Sequence, residues 1–438
     1  MLKRVILSLA LLMNSVLPAN VDAGINSLID DFKSQTKCGH VSVVVCDHGD
    51  LTYYGDSEGL YQIGSMTKSF TGLAVQKLIG EEVISGDDKV SDLIPGFTAY
   101  YDSTEADITV TDLLMQRSGF TNNETDYPSA TENMTLKEWA ESISGKDLKS
   151  RPGTEYSYSN VNYNLLGLII ENVTGMSYRE YMESEVLEPM GLVSTSAGIP
   201  DESNKVIRGS RIGFRTIWDY EVPVREGSIP AGYFYSNTGD IGKWMSRWIE
   251  GGQDMDSVMS HLQEKGDYYA GWERFEDDVT GHSGGTPNYS SRIVFSRSRG
   301  IGVCVLTNLN VAATTDSLCN SIFDVVSGKE HGKLSCDVWT VFDIIFTLVT
   351  VAGTALAVVA IVIRKKGALV SIGASSSLLL ILMLILFPVI FGAGIKEIAF
   401  IWAPVSLVFG FAVLAAAAVT AFIKFGLVRI DEGRAKTG

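Results

Sequence analysis

Three long apolar blocks close the chain. Val338–Ile363 is apolar apart from Asp343 and a few threonines, and Leu369–Gly392 and Ile398–Ile423 follow it. A helix needs about 20 apolar residues to cross a hydrocarbon layer of about 30 Å, so each block is long enough to span a bilayer. Ahead of these blocks the apolar positions recur at shorter periods. His40–Cys46 and Leu51–Gly55 read as strands joined by the turn Asp47-His48-Gly49-Asp50. From Ser65 to about Ile79, Phe70, Leu73, Ala74 and Leu78 fall at helical spacing and predict a buried stripe. Thr109–Gln116 predicts a short helix opened by a threonine cap. Tyr163–Val173 and Tyr178–Leu187 predict two more helices, with Thr174-Gly175 as the stop between them. Ile229–Tyr235 reads as extended and Thr238–Ile249 as helical. Tyr268–Phe275, Ser290–Ser296 and Gly302–Leu309 read as strands, and Thr315–Ser327 as a last helix. Strands open and close this domain and helices fill its middle. The expectation is an α+β fold, an antiparallel sheet with flanking helices and a helical lobe beside it, with a cleft between them.

The start of the chain carries a different signal. Lys3 and Arg4 precede an apolar run, Val5–Met13, that is too short to span a bilayer. Val21 and Ala23 are small residues spaced like a signal-peptidase site. Residues 1–23 therefore read as a secretory signal peptide cleaved before Gly24. The expected domains are the signal peptide at 1–23, an outer domain at 24–333 and a three-helix transmembrane anchor at 334–438. Orientation follows from the loops. Arg364, Lys365 and Lys366 join the first two spans, and Lys424, Arg429, Arg434 and Lys436 follow the third. Positive loops stay cytoplasmic. The chain is thus expected in the cell membrane with three spans, an extracytoplasmic domain and a cytoplasmic C-terminus.

Charge sharpens the division. The 438 residues hold 35 Lys and Arg against 51 Asp and Glu, a net charge of −16. Residues 24–336 alone hold 25 against 45, or −20. An acidic outer body lacks the basic face that binding to a phosphate backbone requires, so nucleic acid is excluded as a partner. The five cysteines (Cys38, Cys46, Cys304, Cys319 and Cys336) match neither a disulfide scaffold nor a zinc site. Cys38 and Cys46 are separated by an extended run of about 26 Å, too far apart for a bridge. The histidines show no ligand spacing, so neither metal nor cofactor is expected.

Three clusters carry chemistry. The first is Ser65-Met66-Thr67-Lys68 after Gly64. On a helix, residues three apart share a face, which places the Lys68 amine beside the Ser65 hydroxyl. A serine attacks only when a base takes its proton, and a lysine serves only if burial and neighbouring cations depress its pKa. The second is Tyr158-Ser159-Asn160, after Arg151-Pro152-Gly153-Thr154. A phenol near Lys68 could share the proton shuttle. The third is His282-Ser283-Gly284-Gly285, leading into Thr286-Pro287-Asn288. A glycine-rich edge strand lets a backbone N–H approach a developing oxyanion. Each cluster alone is weak, since S-x-x-K, a core tyrosine and a glycine turn all arise by accident.

In this order and spacing, the three clusters resemble the serine β-lactamase and penicillin-binding-protein superfamily, in its class C-like branch. The resemblance covers nearly all of residues 40–325, including GSMTKSFTGL, ITVTDLLMQRSGF, RPGTEYSYSNVNYNLLGLIIENVTGMSY, PAGYFYS and GHSGGTPNYSSRIVFS. It implies a β-lactamase/transpeptidase-like fold in which Ser65 is the acylated nucleophile and Lys68 and Tyr158 are base and proton shuttle. It implies an oxyanion hole from the N–H groups of Ser65 and Gly285, on the strand that carries His282 and Gly284. Asn160 would contact the substrate amide. His282 stands where β-lactamases of this branch carry lysine. A lysine is a cation suited to a substrate carboxylate, and a neutral histidine is not.

The pairing of this domain with three C-terminal spans also resembles the membrane-bound prodrug-activating D-asparaginyl peptidases of nonribosomal peptide pathways, the group of the colibactin-maturing peptidase. That match runs through GSMTKSFTGL, TPNYSS and the WAPVS start of the third span. It implies that Asn288 helps hold a D-asparagine side chain. Asn160 replaces a serine of that group, and Ser228 falls where it has a histidine. Asn160, Ser228 and Asn288 are therefore the substrate-binding residues to examine. The expected activity is a serine peptidase cutting an amide next to a D-residue. The alternatives are a D-alanyl-D-alanine carboxypeptidase or β-lactamase, an esterase, and a non-catalytic wall-binding or sensor domain. The expected partners are a small peptide or natural-product substrate, the lipid bilayer and, at most, a second copy of the chain in a homodimer.

Overall fold

The computed structural model describes residues 19–437, apart from Glu124, Thr125, Glu202 and Asp277. Most of the expected signal peptide lies outside the described residues. The chain opens with helix α1 (Ala19–Thr36), which runs through Gly24 and buries Ile25, Leu28, Ile29 and Phe32 along one stripe. Strands β1 (Val41–Asp47) and β2 (Asp50–Tyr54) form the expected hairpin. Helix α2 (Thr67–Gly80) and helix α3 (Asn160–Thr174) lie in the helical lobe. A small hairpin, β3 (Ser210–Gly213) and β4 (Thr216–Asp219), interrupts it. Helix α4 (Thr238–Glu250) leads to the strands β5 (Tyr268–Tyr269), β6 (Trp272–Glu276), β7 (Val279–Gly285), β8 (Ser290–Ser296) and β9 (Ile301–Thr307). Helix α5 (Ala312–Val326) follows.

Strands from the two ends of the domain make one sheet of seven, in the order β5-β6-β7-β8-β9-β1-β2, with every neighbour antiparallel. The fold class is thus the expected one. β8 is the middle strand, and β9 joins it to β1, with Val44 of β1 opposite Cys304 of β9. β1 from Val41 to Cys46 and the whole of β9 are buried, and both are mostly apolar because both faces are covered. Val44, Cys46, Cys304, Leu306, Ile293 and Phe295 point into the main core, and α4 packs there, with Met245 filling the space above Gly302. Residues alternate across a strand, so Val43, Val45, Val303 and Val305 face the other side, which α5 and α1 cover.

α2 is buried nearly all round. Besides the predicted stripe it buries Lys68, Ser69, Thr71 and Gln76, which marks a helix through the centre of a domain. Phe70 stacks on Trp244 with centroids 3.9 Å apart. Truncating a fully buried phenylalanine to alanine costs about 3–5 kcal/mol. The turn between β5 and β6 crosses this helix closely. A Cβ on Gly271, whose φ is +83°, would lie 2.3 Å from the backbone of Lys68 and Ser69. Only glycine permits both that conformation and that approach.

Three local expectations change. Tyr268–Phe275 is not one strand but two, Tyr268–Tyr269 and Trp272–Glu276, which pair antiparallel across the turn at Ala270-Gly271. Ile229–Tyr235 is not one strand: Ile229–Gly232 is a helical turn and only Phe234–Ser236 is extended. Pro230 at the first helical positions explains this, since its ring presets a helical φ and it lacks the N–H a strand would need. A helix at Gln253–Lys265, absent from the sequence reading, follows α4.

Contacts divide the chain into two units, residues 1–210 with 220–335, and residues 211–219 with 336–438. The second unit contains α6 (Val338–Val362), α7 (Lys366–Phe391) and α8 (Val405–Thr437). All three helices are long and apolar enough to cross a membrane. Their apolar side chains Leu348, Val351, Leu378, Ile385 and Ile423 stand exposed, as side chains that meet lipid rather than water do. The same unit includes most of the β3–β4 hairpin, which the linear order of the sequence does not show.

Candidate active site

Ser65 sits in a single 3₁₀ turn, Gly64–Met66, that feeds into α2. In a 3₁₀ turn residues i and i+3 eclipse one another, so the spacing from Ser65 to Lys68 brings their side chains together. Lys68 is fully buried and its Nζ lies 3.0 Å from Ser65 Oγ, where a neutral amine accepts the hydroxyl proton. The same Nζ donates to Asn160 Oδ1 at 2.7 Å and to the Ala231 carbonyl at 2.6 Å. Burial holds the Lys68 amine well below the ordinary lysine range, opposed in small part by the charge of Glu273. A lysine stripped of water this way is the neutral base that a serine requires.

Asn160 is the first residue of α3, whose start is capped by Ser159. That cap turns the chain so that Tyr158 precedes the helix and faces Lys68, with Nζ 4.9 Å from its ring centroid. The Tyr158 phenol hydrogen-bonds Ser65, and burial raises its pKa above the ordinary tyrosine value. Tyr158, Tyr268 and His282 contact one another edge-on or tilted at about 6 Å, forming an aromatic wall beside the amine.

The oxyanion expectation concerns Ser65 and Gly285. Gly64 has a φ of +54°, and a Cβ there would lie 2.6 Å from Gly285 N and 2.9 Å from Gly284 C. A Cβ on Gly284 would lie 2.1 Å from the Ile63 carbonyl, which also accepts from Ser291 Oγ at 2.8 Å. The turn bearing Ser65 is thus pressed against the end of β7. Two glycines make this approach possible, and open space lies above Gly285.

His282 is buried on β7. Its Nδ1 lies 2.6 Å from the Ser283 carbonyl, so that nitrogen donates, and its Nε2 lies 3.4 Å from the Tyr268 hydroxyl. Burial, with the nearby Lys68 amine, lowers its pKa to about 3, so His282 is neutral at physiological pH. Glu273 reaches within 3.9 Å of His282 Nε2, and its carboxyl is raised above the ordinary value by burial. The place that would hold a cation thus holds a neutral imidazole next to an acid. A cavity of about 370 Å³ opens beside it, lined by Met115, Arg117, Tyr156, Tyr268, Glu273 and Phe275 among others.

The three substrate-binding expectations sit differently. Asn160 spends its carbonyl oxygen on Lys68. Asn288 is buried, donates from Nδ2 to the Tyr220 carbonyl at 2.8 Å and accepts from Thr286 Oγ1 at 3.1 Å. Ser228 is buried three residues ahead of Ala231, and its Oγ has no hydrogen-bond partner among the described residues. The sequence reading missed the Ala231 carbonyl, Tyr268 and Glu273. The first has no side-chain signal. The other two announce themselves only once β6 pairs with β7 and sets Glu273 opposite Gly281. Among the described residues, no group of His, Cys, Asp or Glu could hold a metal, and all five cysteines are free.

Comparison with known proteins bears on the family and the fold. Residues 25–320 match the family model described as Beta-lactamase. Protein flp of Staphylococcus aureus (strain MRSA252) is 29% identical over 327 residues, covering 69% of this chain. The match spans 63% of that relative's length. A D-stereospecific amidohydrolase from Streptomyces sp. superposes with a TM-score of 0.56 at 20% identity, over 68% of this chain and 97% of that one. A β-lactamase/D-alanine carboxypeptidase from Pseudomonas syringae superposes with a TM-score of 0.61 at 15% identity, over 71% and 99%.

Proposed function

The chain belongs to the beta-lactamase family, and from that premise we propose that it is a membrane-anchored, extracytoplasmic serine peptidase cleaving an amide next to a D-residue through an acyl-enzyme. The observation that carries this reading is the buried Lys68 amine 3.0 Å from Ser65 Oγ. Neutral Lys68 takes the Ser65 proton as Oγ adds to the substrate carbonyl. The N–H groups of Ser65 and Gly285 stabilise the oxyanion. Tyr158, bonded to Ser65, passes the proton to the leaving amine, and the C–N bond breaks. Water then attacks the ester with the same groups acting in reverse. A binder or sensor has no need of a desolvated lysine, a bonded phenol and a serine at one point, so the non-catalytic reading is the weakest.

The choice of amide rests on His282. A free C-terminal carboxylate, or that of a β-lactam, needs a cation, and a neutral imidazole beside Glu273 offers none. The D-residue follows the resemblance to the D-asparaginyl peptidases, and the amidohydrolase of this fold is itself D-stereospecific by name. A substrate carboxamide needs both donors and acceptors. The unmet Ser228 hydroxyl and the amide end of Asn160 supply them, and Asn288 retains one donor and one acceptor beyond its loop bonds. A site built to pair a polar group rejects analogues that lack it. Cleavage of an N-acyl-D-asparaginyl amide is expected to exceed that of the D-leucyl and L-asparaginyl analogues by at least about tenfold in kcat/KM. Faster release of D-alanine from a D-alanyl-D-alanine peptide would replace this reading with the carboxypeptidase one. Faster hydrolysis of a plain ester than of any amide would favour an esterase.

The orientation of the spans is part of the same proposal. With Arg364–Lys366 cytoplasmic, a reporter active only outside the cytoplasm should work when fused after Lys333, and one active only inside should work at the C-terminus. The opposite pattern would invert the topology.

A further inference from the structure

The β3–β4 hairpin is bound by two side chains whose cost only a specific role offsets. Arg211 is buried, and its guanidinium donates to the carbonyls of Ala399 at 2.7 Å, Phe400 at 2.8 Å and Ala403. These carbonyls end the short helical segment Ile398–Trp402 that breaks at Pro404 before α8. Helix ends leave such carbonyls without intrahelical partners, and a cation there also meets the negative end of the helix dipole. Asp343, fully buried on α6, accepts from the backbone N–H of Phe214 at 2.7 Å and of Arg215 at 2.8 Å, and from Ser406 Oγ at 2.7 Å. An ionisable residue inside an apolar span is costly and marks a function.

The backbone at the tip carries a second, independent sign. Phe214 and Arg215 have φ of +55° and +57°, two consecutive left-handed residues, neither of them glycine. A two-residue hairpin turn of this kind ordinarily takes Asn-Gly. Such a conformation is unfavourable for a side chain with a Cβ, and persists where the surroundings over-determine it. Asp343 does so by taking both N–H groups at once. Phe214 packs edge-on against Phe409, and Gly213 lies against Val405, where a Cβ would sit 2.6 Å from the valine Cβ.

The feet of the hairpin belong to the hydrolase unit. Ser210 N donates to the Asn288 carbonyl at 3.1 Å, Asn288 Nδ2 donates to the Tyr220 carbonyl at 2.8 Å, and Tyr220 N donates to Gly209 O at 2.8 Å. Both ends of one short hairpin thus hold one residue, Asn288. That residue lies in the Thr286–Tyr289 loop directly after Gly285.

We propose that the hairpin, fixed at its tip by Asp343, along its first strand by Arg211 and at its feet on Asn288, positions the loop that follows the oxyanion strand, so that the apolar three-helix unit takes part in substrate selection as well as anchoring. The proposal rests on the peptidase reading for its kinetic consequence. Asp343 and Arg211 touch neither Ser65 nor Lys68. They are positioning residues, acting through chain continuity from residues 211–219 to Ser210 and Tyr220.

The test uses the full chain in nanodiscs, with Asp343→Ala and Arg211→Met compared to wild type. Amide hydrogen exchange at Thr286, Asn288 and Tyr289 is expected to quicken about tenfold, along with that of the hairpin. Labelling by a small fluorophosphonate is expected to stay within about twofold, while kcat/KM for the D-asparaginyl amide falls about tenfold, mostly through KM. Faster exchange in the hairpin with none in the loop would overturn the proposal, as would a loss of labelling equal to the loss of peptidase activity. If the wild type labels but cleaves no D-residue amide, the peptidase reading fails and the exchange measurement still decides the positioning role. Should Asp343→Ala not assemble, Asp343→Asn and Ser406→Ala remove part of the same bonding. The same loop response is then expected at about threefold, and unchanged loop exchange in both overturns the proposal.

Discussion

Ser65→Ala is expected to end covalent labelling and lower kcat by about 10⁴-fold or more, since the hydroxyl is the one atom the proposed route acylates. The fold should tolerate the change. Ser65 sits in a 3₁₀ turn held by backbone, with Met66 N on the Ile63 carbonyl and Gly64 pressed on Gly285, and the lost hydroxyl contributes bonds only to Lys68 and Tyr158. Mass spectrometry of the intact protein after exposure to a fluorophosphonate reads the result directly. An adduct on the Ser65→Ala protein, or turnover at the wild-type rate, would place the nucleophile elsewhere.

Lys68→Met should lower kcat by about 10²–10⁴-fold, the range of lost general-base help, and Tyr158→Phe by on the order of 10²-fold. Lys68→Arg should fare no better than methionine, because a guanidinium keeps its proton at any working pH. The pH profile identifies the base. Burial lowers the Lys68 pKa, so the amine is neutral at pH values where a free lysine is charged, and kcat rises as pH climbs through that lowered value. Stability has the same sign. Between the lowered value and the ordinary 10.5 the unfolded chain holds a proton that the folded chain does not, so stability rises with pH across that interval and the cost of burying the charge is greatest below it. His282, held at about 3, changes charge too low to account for an acid limb near neutrality. Replacing His282 by glutamine should therefore leave the position of that limb unchanged. A limb that disappears with His282→Gln would make the imidazole the base.

The meeting of Ser65, Lys68 and Tyr158 was legible in the sequence because its logic is local or nearly so. Ser65 and Lys68 share one turn, and Tyr158 stands just ahead of a helix whose Gly175 stop is written in residue type, though its start at Asn160, capped by Ser159, lies three residues before the expected Tyr163. The central sheet was legible for a similar reason, since Val41–Cys46 and Ile301–Thr307 are short, mostly apolar, valine-rich runs that favour extended chain. β7 was harder to read. Its sequence, Val-Thr-Gly-His-Ser-Gly-Gly, has little β-propensity, and pairing with β8 rather than its own side chains makes it a strand. The surroundings of His282 were not legible, because Glu273 and Tyr268 reach it across neighbouring strands. The hairpin was the least visible of all. Its meaning lies in bonds to Asp343 and to residues 399–403, more than a hundred positions away, and a short polar stretch carries no trace of distant partners.

That hairpin also sets a timetable. Arg211 and the Ala403 carbonyl it holds are 192 residues apart in the chain. At a synthesis rate of about 5–20 residues per second, roughly 10–40 s pass between the making of the arginine and the making of its acceptor. For that interval the sheet strands, the Ser65 turn and the Tyr158 helix can all form, because every residue they need precedes α6. The hairpin cannot reach its final state until the last apolar helix begins. The order of manufacture therefore completes the turn of Ser65 and Lys68 and the helix after Tyr158 first and the bonds of the hairpin last, so that under the proposed reading the new chain passes through a stage in which it can react before it can choose.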